Sequence, residues 1–193
     1  MSSEPQVVGV VASSAGGVEH LREQFVIPLL DRGYRVAVTL TPTAATWLEP
    51  MGEVERLAEL TGLPVRSGPR LPSERSPHPR IDVYVVAPAS ANTVSKLALG
   101  ISDNQALTQV NESMGAVPVV VFPRVNAAHA RHPAWQGHLA ALRRAGVRLI
   151  YGDDVWRLYE PREAPPGRPL PWGAIIDAVA SALKDARDRE GGR

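Results

Sequence analysis

Short β-branched apolar runs alternate along the chain with longer stretches whose apolar residues recur every three or four positions. Gln6–Ala12 (QVVGVVA), Tyr34–Leu40, Ile81–Ala87, Val117–Phe122 and Val147–Tyr151 read as strands. The runs are nearly continuous rather than alternating, the pattern of strands buried on both faces of a parallel sheet. Leu63-Pro64-Val65 adds a candidate short strand. Val18–Arg32 carries apolar positions at Leu21, Phe25, Leu29 and Leu30 and is closed by Gly33, which predicts an amphipathic helix. Further helices are predicted over Met51–Thr61, from Val94 onward, over Trp135–Ala145 with Gly146 as its stop, and over Trp172–Arg187. Thr41–Thr46 reads as an exit loop, Glu160–Pro171 as irregular and Asp188–Arg193 as a frayed end. Ser67–Arg80 holds Pro69, Pro72, Pro77 and Pro79 among polar residues and reads as an exposed loop. Strands alternating with helices, with no repeat and no linker, predict an α/β fold. Its form is a three-layer, doubly wound parallel sheet in a single domain over 1–193, with a core over about 6–152 and a C-terminal helix over about 172–187.

Composition narrows the function without naming it. The 193 residues suffice for one domain with a substantial core. A net charge of +1 gives no electrostatic case for nucleic acid. The absence of cysteine excludes disulfides, thiolate metal sites and a cysteine nucleophile. No apolar run reaches membrane-spanning length, and Met1–Gln6 is too short and polar for a signal peptide, so the expected setting is the cytoplasm.

The most informative stretch is the end of the Ile81–Ala87 run. Pro88-Ala89-Ser90-Ala91-Asn92-Thr93 follows it, and the helical pattern starts at Val94. Side chains this small leave backbone amides and the Ser90 hydroxyl open at a strand tip. They sit beside a helix N-terminus capped by Asn92 or Ser90. Open α/β sheets bind ligands at the carboxyl ends of their strands. A flat ring fits against Ala89–Ala91 with its polar edge on the amides; the plainer reading is a strand-to-helix turn that needs small residues for close packing. Gly9-Val10-Val11-Ala12-Ser13-Ser14-Ala15-Gly16 offers a second such turn, either a phosphate cradle or simple packing.

Pro88-Ala89-Ser90-Ala91-Asn92-Thr93 resembles the PASANT motif of the homo-oligomeric flavin-containing cysteine decarboxylases. Lys96-Leu97-Ala98-Leu99-Gly100-Ile101-Ser102-Asp103-Asn104 is similar to that family's KLAxGIADN segment. The resemblance implies a Rossmann/flavodoxin-like sheet, bound FMN, and a substrate that is a small molecule or peptide terminus bearing a carboxylate. It further implies a homo-trimer or a multiple of trimers, with Trp47 and the Asn126–His132 loop at the interface. Gly9 and Ser13 match the family's phosphate-binding GxTGSIAA, where Val11 and Ala12 depart from it and Ser14 supplies a hydroxyl. Thr41, Ala44 and Trp47 match TxxAxxF, with Trp47 covering a flavin face or anchoring core or interface. Ala89, Ser90 and Ala91 take the ring. Asp103 reaches the flavin edge or, with Asn104, caps a helix. Asn92 matches the residue that holds the substrate carboxylate.

Catalysis is where the pattern departs. The family's histidine falls in register on Glu74, with His78 nearby in the proline loop; His78 is either the proton relay or an exposed loop residue. In the family's PxMNxxMW segment Pro123 and Asn126 are kept, while Val125, His129 and Ala130 replace Met, Met and Trp. His129 and His132 as a metal pair is a weaker alternative, lacking a carboxylate partner. The late-loop cysteine of the coenzyme A branch is missing. The expected function is therefore FMN-dependent oxidative decarboxylation of a cysteine-type carboxylate, with His78, Asn92 and Asn126 as the catalytic set. The rivals are an FMN-binding redox or cofactor-binding module without that activity and a flavin prenyltransferase-like protein.

Overall fold

A computed structural model describes residues 4–71 and 73–192. Five parallel strands, β1 (Val7–Ala12), β2 (Arg35–Leu40), β3 (Val83–Ala89), β4 (Val119–Pro123) and β5 (Arg148–Leu149), form one sheet in the order β2-β1-β3-β4-β5. Every residue of β1, β3 and β4 is buried, as their valine runs imply. Alternate side chains divide between two cores. Val8, Val10, Val83, Val85, Val120 and Phe122 face one layer, while Val7, Val11, Tyr84, Val86, Val119 and Val121 face the other.

The first layer holds the helical segment after β1 and α8 (Trp172–Gly191), with α2 (Pro42–Leu48) and α3 (Glu53–Thr61) packed alongside. The second holds α4 (Ala91–Leu99), α5 (Gln105–Ser113) and α7 (Trp135–Arg144). The doubly wound prediction is therefore observed. Among the described residues no helix is long and apolar enough to cross a membrane.

Five local predictions need correction. The C-terminal helix, expected to end at Arg187 before a frayed end, continues as α8 to Gly191. The expected single helix over Val18–Arg32 is three pieces: a 3-10 turn (Val18–His20), a π-helical stretch (Arg22–Val26) and α1 (Ile27–Asp31). Pro28 has no N–H to donate back along an α-helical ladder, and the wider bonding just before it fits that gap. The expected exit loop at Thr41–Thr46 is the start of α2, with Thr41 as N-cap and Pro42 in the first turn. Leu63-Pro64-Val65 forms no strand. The contact falls one residue later, where Arg66 bridges Thr39: Arg66 N–H donates to the Val38 carbonyl at 3.0 Å and Leu40 N–H to the Arg66 carbonyl at 2.7 Å. The last strand is only two residues long, and Arg148 on it pairs with Asp185 and Ser181 of α8. One short helix, α6 (Ala127–Ala130), follows β4.

Candidate active site

Chain order reverses between β1 and β3, because β2 lies to one side of β1 and β3 to the other. This is the switch point at which an open α/β sheet leaves a crevice at its carboxyl edge. A cleft of about 220 Å³ opens there, lined by Ser13 and Ser14 after β1, Thr41–Thr43 after β2, Ser90, Asn92, Thr93 and Lys96 of α4, and Asp103 and Asn104. It runs into a second cleft of about 460 Å³ that shares Pro42, Asp103 and Asn104 with it.

Local capping builds this edge. Ser90 is the N-cap of α4: its Oγ accepts from Thr93 N–H at 3.3 Å and shares a hydrogen bond with Thr93 Oγ1 at 3.1 Å. Of the two cap candidates, Ser90 is the cap, and Asn92 stands exposed one residue into the helix with its amide free for a ligand. Asn104 caps α5, accepting from Leu107 N–H at 3.1 Å. Asp103 pairs with Lys96 across the mouth. Thr41 Oγ1 accepts from Ala44 N–H at 3.4 Å, which leaves its O–H free to donate.

Ser13 differs from its neighbour Ser14. Its side chain is 1% exposed. Its Oγ–H donates to the Pro88 carbonyl at 2.9 Å, its N–H donates to the same carbonyl at 3.0 Å, and its Oγ accepts from Ser90 N–H at 2.7 Å. Both donors are spent inside the protein. Phosphate oxygens need donors, so Ser13 fastens the cleft and Ser14 is the hydroxyl able to serve a ligand.

Several sequence-derived candidates lie elsewhere. Gly9 is in the middle of β1, and a Cβ there would stand 2.7 Å from the Tyr84 ring. Its small size serves the packing of Tyr84, its partner on β3, not a phosphate. Ala44 is fully buried on the inner face of α2, and Ala89 fully buried at the end of β3, so each shapes the backbone without offering a side chain. Ala91 is partly buried against the second core. Trp47 is 50% exposed on α2 and does not line the cleft. Asn126 caps α6, accepting from His129 N–H at 3.0 Å, and faces a separate cavity.

His78 is neither exposed nor in the cleft. It is 9% exposed, its Nε2 is 2.8 Å from the Pro64 carbonyl, and it shares a pocket with Arg66, Tyr84 and Gln109. Burial pushes its pKa below the usual histidine range, and the nearby Arg66 charge adds to this, against the opposing hydrogen bond to Pro64. Four lining residues are absent from the sequence-derived candidates: Pro42, Thr43, Thr93 and Lys96. Lys96 carried a signal, since four residues separate it from Asn92 and the two share a helix face.

Known proteins place this architecture. The solved structure of the FMN-dependent cysteine decarboxylase TvaF from thioviridamide biosynthesis is 25% identical, with TM-score 0.68 over 93% of this chain and 98% of that one. A second such enzyme, SpaF, gives TM-score 0.68 at 22% identity over 95% and 98%. Among curated relatives, a cysteine/cysteine sulfinic acid decarboxylase from an unknown prokaryotic organism is 39% identical over 69 residues, which is 36% of this chain and 19% of that one. The coenzyme A biosynthesis bifunctional protein CoaBC of Escherichia coli K12 is 26% identical over 93% of this chain and 44% of its own. The chain thus spans less than half the length of either relative. The Flavoprotein family model matches residues 2–184, and with nearly the whole sequence covered the chain belongs to the Flavoprotein family.

Proposed function

We propose that the chain, read as one flavoprotein domain over 1–193, binds FMN in the strand-tip cleft and oxidatively decarboxylates a cysteine-type carboxylate, either a small molecule or a peptide terminus. The observation that carries this reading is the cleft itself. Of the Ala89–Ala91 turn only Ser90 reaches its wall, which leaves room for a flat ring at the switch point, and hydroxyl and ammonium donors gather around it. The donor set fits the group: the hydroxyls of Ser14, Thr41 and Thr43, the Lys96 ammonium and the N-terminus of α4 all suit a phosphate or the polar edge of a flavin.

Bound FMN would supply two-electron oxidation of the carbon–sulfur unit. The protein's own contribution is placement. Asn92 donates its side-chain amide to the substrate carboxylate, with the α4 N-terminus favouring negative charge beside it. Ser90 and Ser13 hold the two strand tips at fixed spacing. The Lys96–Asp103 pair sets the mouth.

The reading extends to assembly and setting. Trp47, Met51, Leu99 and Ile101 are large apolar side chains left exposed in the segments that border the cleft. They supply contact area for a homo-trimer or a multiple of trimers in the cytoplasm.

The relatives support this reading by their own activities: a cysteine/cysteine sulfinic acid decarboxylase, and a probable phosphopantothenoylcysteine decarboxylase of Streptococcus mutans that is 29% identical over 63% of this chain and 69% of its own. The test is heat release of ligand from purified protein, which should give a yellow compound with the mass of FMN, followed by flavin reduction on adding cysteine-ending peptides. A protein that stays colourless after soaking in FMN defeats the reading. A second reading, an FMN-binding module without decarboxylase activity, is favoured by one observation: no histidine lines the cleft, because His78 is held by Pro64. Loaded protein that no cysteine-type substrate reduces decides for it.

A further inference from the structure

Across the Ser13–Gly17 loop from the strand-tip cleft lies a separate cavity of about 410 Å³, between the end of β4 and the proline-rich segment before α8. Two arginines converge in it on one indole. The Arg168 guanidinium stands 3.5 Å from the Trp156 ring centroid, and that of Arg124 stands 5.2 Å from it. Arg124 lies against the loop after β1, close enough that a Cβ on Gly16 would be in ordinary contact with its Nη2 at 3.7 Å.

Neither arginine has a carboxylate within ion-pair distance among the described residues. Arg168 spends one donor on the Arg157 carbonyl at 2.6 Å. Arg124 Nε and Trp172 Nε1 are buried and donate to no protein group. The acidic groups in the lining are engaged elsewhere: Glu160 pairs with Arg131, and Glu19 accepts from Gly17 N–H at 2.8 Å and lies 3.9 Å from His20.

Leaving cations and N–H donors desolvated and unpaired is costly, so a fold that assembles them beside open space is built to receive an acceptor. Burial, and then the charge of Arg168, disfavour the ionised form of Arg124, with Glu19 opposing them. An incoming negative group relieves both penalties. A guanidinium stacked on an indole face keeps its edge donors available, and that edge matches the spacing of two oxygens on one carbon or phosphorus.

We propose that the cavity formed by Arg124, Arg168 and Trp156 is an oxyanion-binding site, separate from the strand-tip cleft, that takes a carboxylate or phosphate group. Arg124 and Arg168 hold the oxygens. The site does not depend on what the strand-tip cleft binds.

Isothermal calorimetry on the purified full chain tests it, with flavin content recorded separately by absorbance. Inorganic phosphate and acetate are titrated in turn at constant ionic strength. At least one should bind saturably, and the tighter of the two names the group. Arg124→Gln and Arg168→Gln should each weaken that binding at least tenfold. If Arg124→Gln does not fold, Arg168→Gln carries the comparison, since Arg168 lies in an irregular surface segment. No saturable heat from either anion overturns the proposal, as does unchanged binding in Arg168→Gln. Competition between the anion and added FMN also overturns it, because the cavity would then belong to the cofactor cleft.

Discussion

The Ser13 hydroxyl accepts a hydrogen bond from Ser90 N–H at 2.7 Å although 77 residues separate them, and so joins the tips of β1 and β3 at the point where the sheet reverses its winding. Ser13→Ala strands both the Ser90 N–H and part of the Pro88 carbonyl in a buried place. We expect a loss of about 1–3 kcal/mol of stability, read from thermal or urea unfolding. Ser14→Ala should leave stability within about 0.5 kcal/mol and weaken FMN retention instead. Equal stability loss in the two variants would remove the distinction between fastener and ligand.

Ser90→Trp puts an indole where the flavin ring is proposed to lie and also removes the cap of α4, worth about 1 kcal/mol. The sheet should stay folded by circular dichroism while the purified protein loses its flavin. Wild-type flavin content in this variant would place the ring elsewhere.

Asn92→Ala removes an exposed amide whose side chain makes no hydrogen bond among the described residues, so folding and flavin content should be unchanged. The Michaelis constant for a cysteine-ending substrate should rise at least tenfold, and a substrate amidated at the same carboxylate should be insensitive to the substitution. The opposite pattern, with flavin lost and substrate affinity kept, would move Asn92 from substrate to cofactor.

His78 carries a prediction about acid stability. Its pKa is lowered in the folded protein, so across the window below the ordinary value of 6.5 the unfolded chain binds more protons than the native one. Stability therefore rises with pH there. The contribution is fully present above 6.5 and is lost as pH falls toward the folded value. Unfolding measured from pH 7.5 to 5 should show wild type losing stability more steeply than His78→Gln, at unchanged flavin content. Parallel curves would mean that His78 titrates normally.

The sheet was readable because Val7–Ala12, Val83–Ala87 and Val119–Phe122 are valine runs buried on both faces, a pattern few other structures produce. The strand-tip cleft was readable for a related reason: only small residues follow β3, and Ser90 and Asn92 occupy the places that a cap and a free amide require. Thr41-Pro42-Thr43 was misread as loop because threonine and proline suggest one; as cap and first helical residue they start a helix equally well. Ser13 and His78 were misjudged for a deeper reason. What spends the Ser13 donor is a carbonyl 75 residues away, and what buries His78 is a carbonyl 14 residues away. Local sequence carries no trace of either partner.

The two ends of the sheet carry a consequence for how copies of this chain can meet. An unpaired strand edge is a template on which another chain can add a strand and, repeated, grow an aggregate. On the β2 side the Arg66 segment already takes the Val38 carbonyl and the Leu40 N–H. On the other side β5 stops after two residues, with Arg148 tethered to α8. Neither rim offers the run of free amides that strand addition needs. Any assembly of this chain would therefore use helix and loop surfaces rather than open-ended growth along a sheet.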